Sequence, residues 1–76
     1  MSKKLIAERQ RIEDIDFKII DLLKKRKICS VSIGKLKKQE QIPIHDEERR
    51  LYSRSMWGEF ATIYDLLHDL SKSYQQ

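Results

Sequence analysis

The sequence predicts an all-α fold, and three observations carry that expectation. The 76 residues include only two glycines and one proline, so little interrupts a helix. Apolar residues between Leu5 and Leu36 recur at steps of three and four. The one proline sits in a short polar stretch, QEQIPIH at 39–45, which divides two helical patterns.

The first helix is expected from residue 3 to about residue 39. Its stripe is Leu5, Ile12, Ile15, Ile19, Leu22, Cys29, Ile33 and Leu36, widened by Ile20, Leu23 and Val31 as a bundle helix requires. Two steps of the stripe are missing, at 9 and 26, and arginine fills both. A seam this long needs a partner surface of similar length. Pro43 biases Ile42 away from helix. Asp46 then caps a second helix that opens with Glu47 and Glu48, whose charges suit a helix N-terminus.

The end of the second helix has two readings. Gly58 in SMWGEF suits a turn, with Ser55 capping a third helix that runs to about Tyr74. Yet Tyr52, Met56, Phe60, Ile63, Leu67, Leu70 and Tyr74 keep one helical phase, which suits a single continuous helix of roughly 30 residues, since an internal glycine costs only about 1 kcal/mol.

A chain this short has a marginal core, and one cysteine allows no internal disulfide. His45 and His68 lack metal-ligand spacing with Cys29, which reads as a small core residue. No metal or cofactor is expected, and oligomerisation is the expected source of added stability. The net charge of +4 permits a nucleic-acid partner, but basic and acidic residues are interleaved without a basic stripe, so none is expected. A small polyanion suits the balance better. No apolar run is long enough for an export signal or a membrane span, and with the free thiol this points to a single cytoplasmic domain over residues 1–76 with no membrane partner.

Arg9 and Arg26 are the residues a plain packing account explains least. A guanidinium on an apolar seam needs an anion, and no acidic residue lies on that seam. Seventeen residues separate them, about 25 Å of helix, so one small ligand reaches both only if they come from two chains. Lys37 lies three turns beyond Arg26 on nearly the same face. Taken singly, Asp46 with Arg49 and Ser71 with Gln75 read as a cap with a surface pair and as terminal polar residues.

As a set, the stretches RQRIEDIDFKIIDLLKKR (9–26), IGKLKK (33–38), IPIHDEERR (42–50) and SKSYQQ (71–76) closely resemble the AroQ class of chorismate mutases. The resemblance implies a three-helix chain with a long first and a short second helix, interlocked as a homodimer. It implies chorismate as a dianionic substrate, rearranged to prephenate in aromatic amino-acid biosynthesis. Carried over position by position, Arg9 is the arginine given by the partner chain and Arg26 the second carboxylate-binding arginine. Lys37 and Gln75 share the ether oxygen, Asp46 and Arg49 lie at the loop–helix junction, and Ser71 meets a carboxylate. Catalytic roles thus fall to Lys37, Gln75 and Arg26.

Two departures stand out. The family usually has glutamate, which holds the ring hydroxyl, where this chain has Arg50, unless Glu47 or Glu48 takes its place. The connection between the second and third helices is also about three turns short. If these helices were fused, Asp46 and Gln75 would lie about 43 Å apart and meet only by exchange of the last helix between chains. An isochorismate pyruvate-lyase and a weakly active or non-catalytic dimeric member of the family are the alternatives.

Overall fold

In a computed structural model, which describes residues 2–76, helix α1 spans Lys3–Glu40, α2 Glu47–Ser55 and α3 Ala61–Gln75, with one 3-10 turn at Gly58–Phe60. Ser2 caps α1 by accepting from the Leu5 N–H at 3.1 Å. The helix ends where Gln41 turns left-handed (φ 58°) and its N–H returns to the carbonyls of Lys37 and Lys38. Asp46 caps α2 through a 3.1 Å bond from the Arg49 N–H to Oδ1, as its position predicts.

The continuous-helix reading is overturned at residues 56–60. Gly58 takes φ +51°, a conformation glycine reaches without the Cβ clash of other residues. The Phe60 N–H closes a tight turn on the Trp57 carbonyl at 2.8 Å. Ser55 does not cap the third helix: it is the last residue of α2, and its hydroxyl donates back to the Tyr52 carbonyl at 2.6 Å. The start of α3 at Ala61 has no side-chain cap. Arg54 of α2 instead fixes the corner by donating through Nε and Nη2 to Asp65 of α3, at 2.9 and 3.3 Å. Asp46 and Gln75 therefore share one cavity within one chain, and no exchange of the last helix is needed to bring them together.

α3 runs parallel to the second half of α1. Contacts repeat at a constant offset of 41 residues: Arg26 with Leu67, Ser30 with Ser71, and Gly34 with Gln75. The contacting ridges step by four on both helices, as i±4 ridges do when they interdigitate. Gly34 permits the closest approach, because a Cβ there would lie 2.5 Å from the Gln75 carbonyl oxygen.

The closest contacts between α1 and α3 are therefore small and polar. Ile19, Leu22 and Leu23 line an apolar groove with Trp57, Phe60, Ile63 and Leu67, while Leu5, Ile12 and Ile15 lie on α1 before the stretch that α3 covers. Among the described residues Tyr64 is the one buried hydrophobic, at 4% exposure. Leu5, Ile12, Ile15, Ile19 and Leu22 stand exposed, and Cys29 is exposed rather than in a core. The 38 residues of α1 make a rod of about 57 Å, and α3 covers only its later part. No described helix is long and apolar enough to cross a membrane.

Candidate active site

The parallel pairing of α1 with α3, and the return of α2 across them, encloses a cavity of about 310 Å³. Its wall contains Arg26 and Lys37 from α1, Asp46 from the loop and Arg49 from α2. Ser71 and Gln75 come from α3. Six of the seven residues singled out in the sequence thus converge on one space. Arg9 does not: it lies 17 positions earlier on the same unbroken helix, about 25 Å from Arg26 along the axis.

Arg26, Lys37 and Arg49 each make contacts within the chain. Arg26 Nη1 donates to the Leu67 carbonyl at 3.2 Å, which leaves further guanidinium N–H groups for another partner. Lys37 Nζ donates to the Ile44 carbonyl at 2.7 Å, tying the ammonium to the loop after α1. The Arg49 guanidinium lies 5.3 Å from the Tyr52 ring centroid, a cation–π distance. The hydroxyls of Ser30 and Ser71 are 2.6 Å apart, and Gln75 Nε2 donates to Ser71 Oγ at 3.4 Å. Gln75 Oε1 is buried and accepts no bond in the free chain.

Several residues in the wall or next to it are not among the site residues the sequence suggests. Tyr64 is buried and also lines the cavity, with its ring centroid 5.7 Å from that of Trp57 and 5.9 Å from that of His68. His68 and Lys72 add nitrogen groups from α3. They lie three residues before and one after Ser71, a spacing that places His68 on the same helical face. Ser30 and Gly34 continue the ridge from Arg26 in steps of four, a pattern visible only once the polar face, not the apolar one, is followed.

Arg50 also lines the cavity, at the position where the resembled family usually has glutamate. Neither Glu47 nor Glu48 is part of the wall. Glu47 is committed to Arg50, accepting from Nη2 at 2.6 Å and Nε at 3.1 Å, and lies 2.8 Å from His45 Nε2. The bonds from Arg50 and then His45 hold the Glu47 carboxyl at a pKa of about 2, and the same pairing raises that of Arg50. Burial, reinforced by the charges of Lys72 and Arg50, lowers the pKa of His68, whose Nε2 is buried without a partner. The wall thus presents Arg26, Lys37, Arg49, Arg50 and Lys72 against the single carboxylate of Asp46. It suits an anion carrying more than one negative group. Among the described residues no cluster of His, Cys, Asp and Glu is placed to hold a metal.

Residues 8–59 match the family model of chorismate mutase type II. A chorismate mutase of Methanocaldococcus jannaschii is 34% identical over 97% of this chain, and a 3-dehydroquinate dehydratase of Pyrobaculum aerophilum is 32% identical over 93%. The chain spans 65% of the first relative's length and 24% of the second's. A solved structure of a conserved hypothetical protein from Pyrococcus furiosus superposes with a TM-score of 0.97, at 38% identity and with full coverage of both chains. With three helices, a polar cavity between them and a family match over most of its length, the chain belongs to the type II chorismate mutase family.

Proposed function

We propose that the protein is a chorismate mutase that rearranges chorismate to prephenate and works as a homodimer. The observation that carries this reading is the convergence of Arg26, Lys37, Arg49, Ser71 and Gln75 on one cavity. The reaction is a unimolecular pericyclic rearrangement, so it needs no nucleophile and no obligatory proton transfer. The protein has two tasks: to hold a flexible dianion in its compact reactive conformer, and to stabilise the charge that grows on the ether oxygen as the C–O bond breaks.

The residue types suit both tasks. Arg26 and Arg49 offer forked donors for carboxylates, and Ser71 adds a hydroxyl. Lys37 keeps ammonium donors beyond the one given to Ile44, and Gln75 has a second amide hydrogen beyond the one directed at Ser71. Both suit an ether oxygen whose charge increases. Asp46 fixes the start of α2, and so the direction of Arg49.

The dimer supplies what the single chain lacks. Leu5, Ile12 and Ile15 on the first half of α1 stand exposed, and a second chain of the same sequence offers a seam of matching length. An antiparallel partner would carry its Arg9 to the Arg26 end of the cavity, where the sequence resemblance expects it. The free thiol of Cys29 suits a reducing compartment such as the cytoplasm.

The test is chorismate consumption with product identification. Wild type is expected to form prephenate; salicylate and pyruvate from isochorismate would indicate the lyase instead. Arg26→Ala is expected to lose about 10²–10³-fold in kcat/KM, the range for a lost donor to developing or fixed negative charge. Full activity in that variant would refute the site.

Arg50 motivates one alternative, a weakly active or non-catalytic member of the family. If Arg50→Glu created activity absent from wild type, that alternative would hold. Comparable activity in the two would remove it.

A further inference from the structure

We infer that Ser30 is a positioning residue: it fixes the Ser71 hydroxyl as a donor aimed at an anionic oxygen of the ligand. This rests on reading the cavity as a dianion site. Ser30 is 3% exposed and is not part of the cavity wall, whereas Ser71 is. Their oxygens are 2.6 Å apart, a short hydroxyl–hydroxyl bond, and only one proton can lie between them.

Counting donors and lone pairs decides the direction. A serine hydroxyl donates once and accepts twice. Ser71 Oγ already accepts from Gln75 Nε2. If Ser30 donates as well, both lone pairs of Ser71 are taken and its own proton has to point away from Ser30 and Gln75, where an anion in the cavity receives it. In the reverse arrangement Ser30 donates to a carbonyl of its own helix, as serine in a helix can. Ser71 then donates to Ser30 and presents a lone pair to the anion. A carboxylate in the cavity favours the first arrangement, because the bond it gains is charge-assisted.

The fold holds the three groups in line. Ser30 and Gly34 are one turn apart on α1, as Ser71 and Gln75 are on α3, and the approach at Gly34 brings the two ridges together. Position 30 is thus one turn from that approach, with the Ser71 hydroxyl opposite it.

The experiment is a mutant cycle on the full chain. Ser30→Ala is expected to raise KM for chorismate about 3–10-fold, the range for one lost hydrogen bond, with kcat within about twofold, because a carboxylate contact acts alike on ground and transition states. Ser30→Thr, which keeps the hydroxyl, is expected to restore KM. In a Ser71→Ala background Ser30→Ala is expected to add nothing. Equal losses with and without the Ser71 hydroxyl, or a fall confined to kcat, would overturn the inference. If Ser30→Ala does not fold, Ser30→Cys, which keeps the size with a much weaker donor, takes its place.

Malonate, a dicarboxylate that undergoes no rearrangement, separates this inference from the proposed reaction. Its binding, followed by chemical-shift titration, is expected to weaken in Ser30→Ala only while Ser71 is present. That result with a wild type inactive on chorismate would sink the mutase reading and leave the role of Ser30 standing. Active wild type with additive losses would do the opposite. A wild type that neither binds malonate nor turns over chorismate overturns both.

Discussion

The two halves of α1 are built on different principles. Up to about Leu22 the helix carries isoleucine and leucine in regular steps and leaves them exposed within its own chain. From Arg26 to Lys37 the face toward α3 is Arg26, Ser30, Gly34 and Lys37, and here the chain folds onto itself. Ordinary patterning would bury the apolar half and expose the polar half. The exposed apolar half is the surface that the proposed dimer would cover, while the closest internal packing builds the cavity.

The most severe way to break the contrast is a charge in the apolar half. Ile15→Glu is expected to abolish the dimer and with it nearly all activity, since an unpaired charge buried in a seam costs about 3–5 kcal/mol. Light scattering with the chorismate assay checks this. An active dimer would show that the exposed stripe serves another purpose.

A second experiment joins the two halves. Arg9→Ala and Arg26→Ala homodimers are each expected to be nearly inactive. Mixed and allowed to exchange subunits, they are expected to recover about a quarter of wild-type activity, because half the dimers are mixed and each has one intact site. No recovery would place Arg9 outside the site of its partner.

In the polar half, Gly34→Ala puts a methyl group against the Gln75 backbone, 2.5–2.9 Å from three of its atoms. We expect a loss of about 1–3 kcal/mol in stability, the usual cost of overpacking, with a lowered kcat as Gln75 is displaced. Thermal unfolding and steady-state kinetics read the two effects separately. Unchanged values would mean that α3 can slide on α1.

The smallest effect is at the edge of the cavity. Glu47 has a folded pKa near 2, below its ordinary value of 4.5. Its contribution to stability is therefore complete above pH 4.5 and lost as pH falls toward 2, where the unfolded chain binds the extra proton. The difference in Tm between wild type and Glu47→Gln is expected to shrink across that window and to be constant above it. A constant difference down to pH 2 would show that the carboxylate does not act through its charge.

The first helix, its end and the start of the second were legible in the sequence because they follow local rules, whereas Asp46, Arg49, Ser71 and Gln75 stood out as site residues only through the resemblance of the ordered set to a known family. Pro43 and Asp46 separate α1 from α2, and the polar residues that break the seam mark positions the core does not explain. What was not legible depends on the constant 41-residue pairing of α1 with α3. Ser30, Gly34, His68 and Lys72 look unremarkable until that register is known. The corner at Gly58 could not be decided by phase, since Tyr52 to Tyr74 keep helical spacing through a turn that reverses the chain. The ion pair between Arg54 and Asp65, which ties that corner, spans 11 residues and leaves no periodic trace.

Because α1 and α3 run in the same direction, their carbonyl-rich ends lie at the same side of the molecule. Each has its negative pole there, and each carries lysine in its last turn, Lys37 and Lys38 on α1 and Lys72 on α3. Part of the positive charge around the cavity is thus spent against the backbone itself. The N-terminus of α2, with the opposite polarity, enters the same wall at Asp46 and Arg49. The potential a dianion meets is the balance of three helix ends as well as of side chains, so swapping one lysine for another group alters how a helix terminates along with how the ligand is held.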